Sequence, residues 1–414
     1  MARAADISRD SGRHFLDSHP WIRFELDLSA MPWLFWEQLG EAKSKCLHIE
    51  RTPIPPGVSR ELSSLYLAKG ALATTAIEGN TLNEEQALQA VEGQLRLPMS
   101  QAYQRREIEN IVAACDAIAA EVMQKREFEI TPQGLADLNR HVLEGLELED
   151  GVVPGRYRDG SVVVGSVYRG APAGDCEFLV ERLCEWLNGD DFARCEDRRE
   201  RFMRAFLRAV LAHIYIAWVH PFGDGNGRTA RLVEFGILTA AGVPAISAHL
   251  LSNHYNATRD IYYRQLNRAS RSGGDLIPFL NYAVEGFVDG LEEQLERVRQ
   301  VNYNSAWREY VDELFAGPST AAKRRQRELV LALPTKESVR RGEIDRLNPE
   351  LAALYAGRQS KTVTRDLNQL EQMGLIERST GGIRAKSEVM LGFLPPAVAE
   401  GEAPPINRDQ DDRR

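Results

Sequence analysis

Between His220 and Arg231 the chain reads HPFGDGNGRTAR, twelve residues holding three glycines, an aspartate, an asparagine, a histidine and two arginines. Each of these types has a chemical use at this spacing. Gly223, Gly225 and Gly227 can take positive φ values, so successive backbone N–H groups can converge on one anion at the start of a helix. Arg228 and Arg231 stand three apart on the first turn of that helix, where both guanidinium forks can face one polyphosphate. Asp224 offers hard carboxylate oxygens suited to Mg²⁺ bridging such a ligand. His220 is the one group in the loop whose ordinary pKa lets it take a proton from an attacking hydroxyl near neutrality. Together the parts suit displacement at phosphorus. The spacing and the lysine of a Walker A loop are missing, as are the alternating carboxylates and distal glutamate of an EF-hand. The bland alternative is a glycine-rich capping turn with a chance histidine, and so many functional types within twelve consecutive residues weigh against it.

The elements that must position this loop are mostly helices. Apolar periodicity predicts helices near 59–77, 83–95, 102–124, 131–144, 176–189, 199–219, 228–241, 255–271 and 275–302. The loop sits between the long apolar helix ending at Val219 and the helix beginning near Arg228. Pro53, Pro55 and Pro56 precede the helix that stops at Gly79-Asn80, a C-cap pair. Residues 152–169 place β-branched residues between glycines, the pattern of a hairpin. Beyond Gly317-Pro318 come short helices and a strand pair. Asn348-Pro349 opens one helix, Gly357 breaks it and Ser360 opens the next, whose Val363, Leu367 and Leu370 form an inner stripe. Lys361, Thr362, Thr364, Arg365, Asp366, Asn368 and Glu371 are expected on its outer face, and a wing-like hairpin carrying Arg384 and Lys386 follows. This is the layout of a winged helix-turn-helix.

Composition sets outer bounds. With 414 residues, 43% hydrophobic and 27% charged, the chain reads as an ordinary globular protein of two or three domains. No apolar leader begins it, and Arg208 and His213 interrupt its most apolar stretch, so a soluble, cytoplasmic protein with no membrane association is expected. Five cysteines with no C-x-x-C spacing, Cys46, Cys115, Cys176, Cys184 and Cys195, read as packing residues. The net charge is −9, yet residues 321–390 hold 14 Lys and Arg against 9 Asp and Glu, a local +5.

The twelve-residue loop resembles the full signature of the Fic family, and the similarity extends over most of residues 30–300. The resemblance implies an all-α fold: a helical Fic (Fido) core with a β-hairpin flap, here joined to a C-terminal winged helix domain. It implies transfer of AMP from ATP, with Mg²⁺, to a Ser, Thr or Tyr hydroxyl of a protein. His220 would be the base, Asp224 the metal ligand, and Gly223, Gly225, Asn226, Gly227, Arg228 and Arg231 the phosphate site. Tyr262 and Tyr263 resemble the family's aromatic pair beside the nucleoside. Thr74 to Gly79, TTAIEG, resembles the inhibitory motif of Fic proteins that block themselves. Glu78, flanked by Thr74 and Gly79, could then pair with Arg231 in place of the γ-phosphate. The hairpin resembles the flap that clamps a target segment by strand addition, through Val162, Val163 and Val164 and beside Gly155 to Arg158. It departs from the family in carrying Ala171-Pro172-Ala173 where a double proline is common.

The expected organisation is an N-terminal arm, partly disordered, over 1–30; a helical region carrying the inhibitory helix over 31–110; and the Fic core over 111–302. A linker over 303–322, the winged helix domain over 323–395 and a disordered tail over 396–414 complete it. Two functions from different classes remain open on sequence alone. One is a protein adenylyltransferase whose targets include other proteins or itself. The other is a DNA-binding regulator, reading DNA through residues 349–386, with a nucleotide-sensing Fic domain. A homodimer is compatible with either.

Overall fold

The computed structural model describes residues 12–164, 168–192, 197–318 and 320–391. They form two compact units that divide between Val298 and Arg299. The first contains helices α1 (Trp33–Arg51), α2 (Pro56–Ala76), α3 (Glu84–Val91), α4 (Ala102–Lys125) and α5 (Pro132–Val142). After the short antiparallel strands β1 (Val163–Val164) and β2 (Tyr168–Arg169) come α6 (Cys176–Leu187), α7 (Arg198–Val219), α8 (Asn226–Ala240), α9 (Leu250–Ala257) and α10 (Arg259–Arg271). The unit boundary falls within α11 (Ile277–Leu314). The second unit continues with α12 (Ala321–Ala332), α13 (Pro349–Tyr355), α14 (Ser360–Gln372) and the hairpin β3 (Ile376–Ser379) and β4 (Gly382–Ala385). The all-α architecture with one small hairpin beside the core is thus as the sequence predicts.

Helix starts follow their caps. The Thr131 side chain accepts from Gly134 N at 2.9 Å with Pro132 next to it, and Asn83 and Gln86 form a reciprocal capping box. The axis of the first unit is α7, whose Phe206, Val210, Leu211, Ile214, Tyr215 and Trp218 are all buried, so its C-terminal half is enclosed on nearly every side. Glu200–Val219 is long and apolar enough to cross a membrane by composition, and 72% of its most apolar stretch is buried inside the fold. Helix α8 packs against α7 and against α2, α4 and α5. The two ends of the signature loop are therefore tied to the most buried helices of the unit.

Several expected boundaries move. The division at 110/111 falls inside α4, because both sides feed one core running from Phe15 to Leu295. Within the expected arm, Phe15 and Ile22 are buried in that core, and Phe15 N donates to Asp175 Oδ2 at 2.8 Å. Residues 1–11 and 392–414, including the tail expected at 396–414, lie outside the described residues. The linker expected at 303–322 is helical to Leu314, since Trp307 and Val311 are buried in the core of the second unit. The single helix expected over 255–271 is two, broken at Thr258, whose hydroxyl bonds the His254 carbonyl at 2.7 Å and Tyr282 Oη at 2.6 Å. Cys46, Cys115, Cys176 and Cys184 are buried free thiols, in keeping with packing roles, and Cys195 lies outside the described residues.

In the second unit Asn348 caps α13 by accepting from Leu351 N at 2.7 Å. Ser360 is the first helical residue of α14, with Gln359 as its cap position. Val363, Leu367 and Leu370 face inward as expected. Asp366 does not face outward: it is buried, accepting from Arg325 Nε at 3.1 Å, Gln326 Nε2 at 3.0 Å and Tyr355 Oη at 3.0 Å. It occupies the inner stripe because α12 brings Arg325, itself buried, against that position. On the hairpin, Arg384 pairs with Glu377 and Glu388 and so is not a free cation.

Removing one partner of a buried ion pair leaves the other uncompensated. Asp366→Ala is therefore expected to destabilise the second unit by about 3–5 kcal/mol, and Asp366→Asn by less, as read from denaturant unfolding of the full chain. A loss under about 1 kcal/mol for the alanine variant would show that Arg325 does not depend on this carboxylate.

Candidate active site

The loop between α7 and α8 is held from three directions. His220 ends α7 with φ 49°, a left-handed value uncommon outside glycine. Its carbonyl accepts from Arg158 Nε at 2.7 Å, and Arg158 also donates to Gly160 O at 2.6 Å, Val219 O at 3.3 Å and Ala171 O. The Arg158 backbone N–H donates to Pro221 O at 3.0 Å. Arg158, buried itself, therefore fastens the base of the hairpin to the loop. From α5, fully buried Asn139 donates to Asp224 O at 2.9 Å and accepts from Gly155 N at 2.9 Å. Within the loop, Asn226 both accepts from Phe222 N and donates to Phe222 O, each at 2.9 Å.

These contacts revise several assignments. The Asn226 side chain closes the loop and so is not free for phosphate. Of the three glycines, Gly225 alone takes a positive φ, 77°, as the cap of α8. Gly223 and Gly227 matter for the space they leave. A Cβ on Gly223 would lie 3.1 Å from Val152 Cγ2, and one on Gly227 would overlap Glu78 Oε1. Arg228 does not point into an open anion site. Its Nη1 donates to Glu107 Oε1 at 2.8 Å and its Nη2 to the two carboxylate oxygens of Asp224 at 3.1 and 3.2 Å.

The turn after α2 brings Glu78 to the start of α8. Glu78 Oε1 accepts from Arg231 Nη2 at 2.5 Å, and the same nitrogen donates to the Thr74 carbonyl at 2.9 Å. Gly79, with φ 109°, lets the chain leave the helix, and Tyr263 Oη donates to the Ile77 carbonyl at 3.5 Å. The Arg231 side chain is 1% exposed and that of Glu78 34%, so the carboxylate enters from the rim. Burial raises the Glu78 pKa, but the charge and hydrogen bond of Arg231, with Arg228 and His220, outweigh it and hold the carboxyl below the usual range. Thr74, Glu78, Gly227 and Arg231, brought together from residues about 150 apart, thus form one contact.

Tyr262 and Tyr263 are separated by burial. Tyr262 is buried, hydrogen-bonded at 2.8 Å to His213 Nε2, and packed with Tyr255 and Phe279, so it is a core residue and not a surface for a ligand. Tyr263 is 40% exposed beside the end of α2. The hairpin is shorter than the expected 152–169. Val163 pairs with Arg169 and Val164 with Tyr168, Val162 O accepts from Gly170 N at 3.1 Å, and residues 165–167 lie outside the described residues. Asn139, Arg158 and Glu107 are the side chains whose roles sequence reasoning missed. Asn139 left one signal: it falls in the apolar stripe of Leu135, Ala136 and Val142 on α5, where an amide is misplaced unless it bonds something.

His220 is held neutral. Burial and the nearby Arg158 lower its pKa, Glu78 and Asp224 oppose them, and the outcome is about 4 against an ordinary 6.5. Because the folded pKa lies below the unfolded one, the stability this site contributes is intact above pH 6.5 and is lost as pH falls toward about 4. A histidine-resolved NMR titration should find the His220 midpoint well under 6.5. A midpoint at the ordinary value would mean that solvent reaches the ring freely.

Residues 129–238 match the model of the Fic/DOC family. The protein adenylyltransferase fic-1 of Caenorhabditis elegans is 31% identical over 261 residues, covering 62% of this chain and 46% of that protein. The protein adenylyltransferase Fic of Nematostella vectensis is 28% identical over 247 residues, 59% and 52% of the two chains. The chain thus spans about half the length of these curated relatives. Among solved structures, a Fic family protein from Desulfovibrio desulfuricans G20 superposes with TM-score 0.52 at 21% identity, over 86% of this chain and 97% of that one, a likeness of fold. Fic-1 (aa134–508) from C. elegans superposes with TM-score 0.52 at 25% identity, over 64% and 73%. With its signature loop inside the matched segment, the chain carries a domain of the Fic/DOC family over residues 129–238.

Proposed function

We propose that the chain is a protein adenylyltransferase that moves AMP from ATP onto a protein hydroxyl and is held inactive by Glu78. The observation that carries this reading is the Glu78 carboxylate seated on Arg231 and over Gly227 at the N-terminus of α8. A carboxylate held there stands in for a phosphate, because a helix N-terminus with an arginine beside it is an anion site. The printed names of the curated relatives support the same activity.

Asp224 fits a metal partner. Its side chain is 50% exposed, and among the described residues no group of three or more His, Cys, Asp or Glu could hold an ion by itself. Mg²⁺ suits such a place, taking one or two carboxylates and completing its shell with phosphate and water oxygens. Bound there, it would supply charge neutralisation on the phosphates. His220, neutral at pH 7, takes the proton of the target hydroxyl at a ring nitrogen as that oxygen bonds the α-phosphorus. The bond from the α-phosphorus to the bridging oxygen breaks, and pyrophosphate leaves. The two strands β1 and β2 pair only with each other among the described residues, so Val162 to Val164 keep an open edge on which a target segment can add. Tyr263, exposed beside α2, is the aromatic placed to meet the nucleoside.

The test compares wild type, Glu78→Gly and the double variant Glu78→Gly/His220→Ala with ATP labelled at the α- or the γ-phosphate. Covalent label from the α position alone should appear in Glu78→Gly at least about tenfold above wild type, and fall by about 10²–10⁴ from that level in the double variant. Label from the γ position would make the reaction a phosphorylation and overturn the reading. So would labelling of the double variant at the Glu78→Gly level.

A further inference from the structure

Glu107, on α4, has no role in the chemistry above, yet it accepts from two side chains beside the loop. Its Oε1 accepts from Arg228 Nη1 at 2.8 Å and its Oε2 from Asn80 Nδ2 at 3.0 Å. Its side chain is 13% exposed and that of Arg228 5%. Asn80 stands two residues past the inhibitory Glu78 and is buried, with its amide also donating to Gln104 O at 2.9 Å. Arg228 Nη2 holds Asp224. Four side chains thus form one line, Asn80 to Glu107 to Arg228 to Asp224, from the inhibitory segment to the residue assigned to the metal.

We propose that Glu107 is a positioning residue that couples the inhibitory segment to Asp224, so that release of the segment also readies the metal site. The inference rests on the proposed reading of Asp224. A guanidinium shared by two carboxylates divides its charge between them. When Asn80 leaves with the inhibitory segment, Glu107 loses its second donor and interacts more strongly with Arg228. Arg228 then holds Asp224 less firmly, and its oxygens turn to the metal. Neutralising Glu107 does the reverse, because Asp224 becomes the one anionic partner of a buried arginine.

The test uses the Glu78→Gly chain, in which the direct block is gone, and measures ATP binding by calorimetry with Mg²⁺ and with chelator. Adding Glu107→Gln, which is near in shape, should weaken the Mg²⁺-dependent gain in affinity about tenfold, the size of other outer-sphere effects on metal sites, while affinity in chelator does not fall. Adding Asn80→Ala instead should strengthen that gain. Amide hydrogen exchange over α8 reports whether each variant keeps its fold, and exchange at residues 79–82 should quicken in both. Shifts in the same direction, or an unchanged Mg²⁺ gain, would overturn the coupling. If Glu78→Gly alone gains nothing from Mg²⁺, the metal reading of Asp224 fails first, and the coupling with it.

Discussion

A buried arginine dictates the architecture of this site. Arg231 lies on α8 with almost none of its side chain exposed, and two of its nitrogens, Nε and Nη1, are buried without a hydrogen-bond partner. A guanidinium cannot lose its proton to escape such a place, so the fold must bring it an anion. In this structure the anion is Glu78. The rest of the N-terminal region serves that delivery: α2 points its end at α8, Gly79 turns the chain away, and Tyr263 and Arg259 reach the carbonyls of Ile77 and Ala76. Glu78 is also the more exposed partner, so the exchangeable member of the pair is the one on the rim. Inhibition in this scheme is an exchange of anions on a fixed cation.

The fixed part is rigid for identifiable reasons. Arg158 gathers four carbonyls from the hairpin base and the end of α7, Asn139 joins α5 to both the loop and Gly155, and Asn226 closes the loop on itself. Buried polar groups whose bonding is met over-determine a backbone, and this allows His220 to keep a left-handed φ that an isolated chain would avoid. The same burial keeps the imidazole neutral, so one structural cause serves both the geometry of the base and its readiness.

What the sequence disclosed and what it hid divide along the distance over which information travels. Helices with local caps, such as α5 and α13, were legible because Thr131 and Asn348 act within three residues. The signature loop was legible because its residues are contiguous. The partnership of Glu78 with Arg231 was reachable only through family resemblance, since 153 residues separate them. Arg158 and Glu107 carried no local mark at all: an arginine in a hairpin and a glutamate on an amphipathic helix are ordinary surface residues until the fold buries them. Asp366 misled for the same reason, because a helix-face argument cannot foresee Arg325 arriving from α12. Tyr262 and Tyr263 show the limit of a motif read as a unit, adjacent in sequence yet one in the core and one at the surface.

On the proposed reading, electrostatics makes the inhibition more than a steric block. Around the loop stand three carboxylates, Glu78, Glu107 and Asp224, and three guanidiniums, Arg158, Arg228 and Arg231, beside a neutral imidazole. The Glu78 carboxylate repels a triphosphate there, because water is scarce and the effective dielectric is low. On that reading, withdrawing Glu78 leaves a net positive charge and frees Arg231 in the same step, so the site becomes receptive to the phosphates only when the anion that mimics them has gone. Asp224 and Glu107 remain to offset Arg228, which explains why the loop can keep one arginine as a buried strut and spend the other on the ligand.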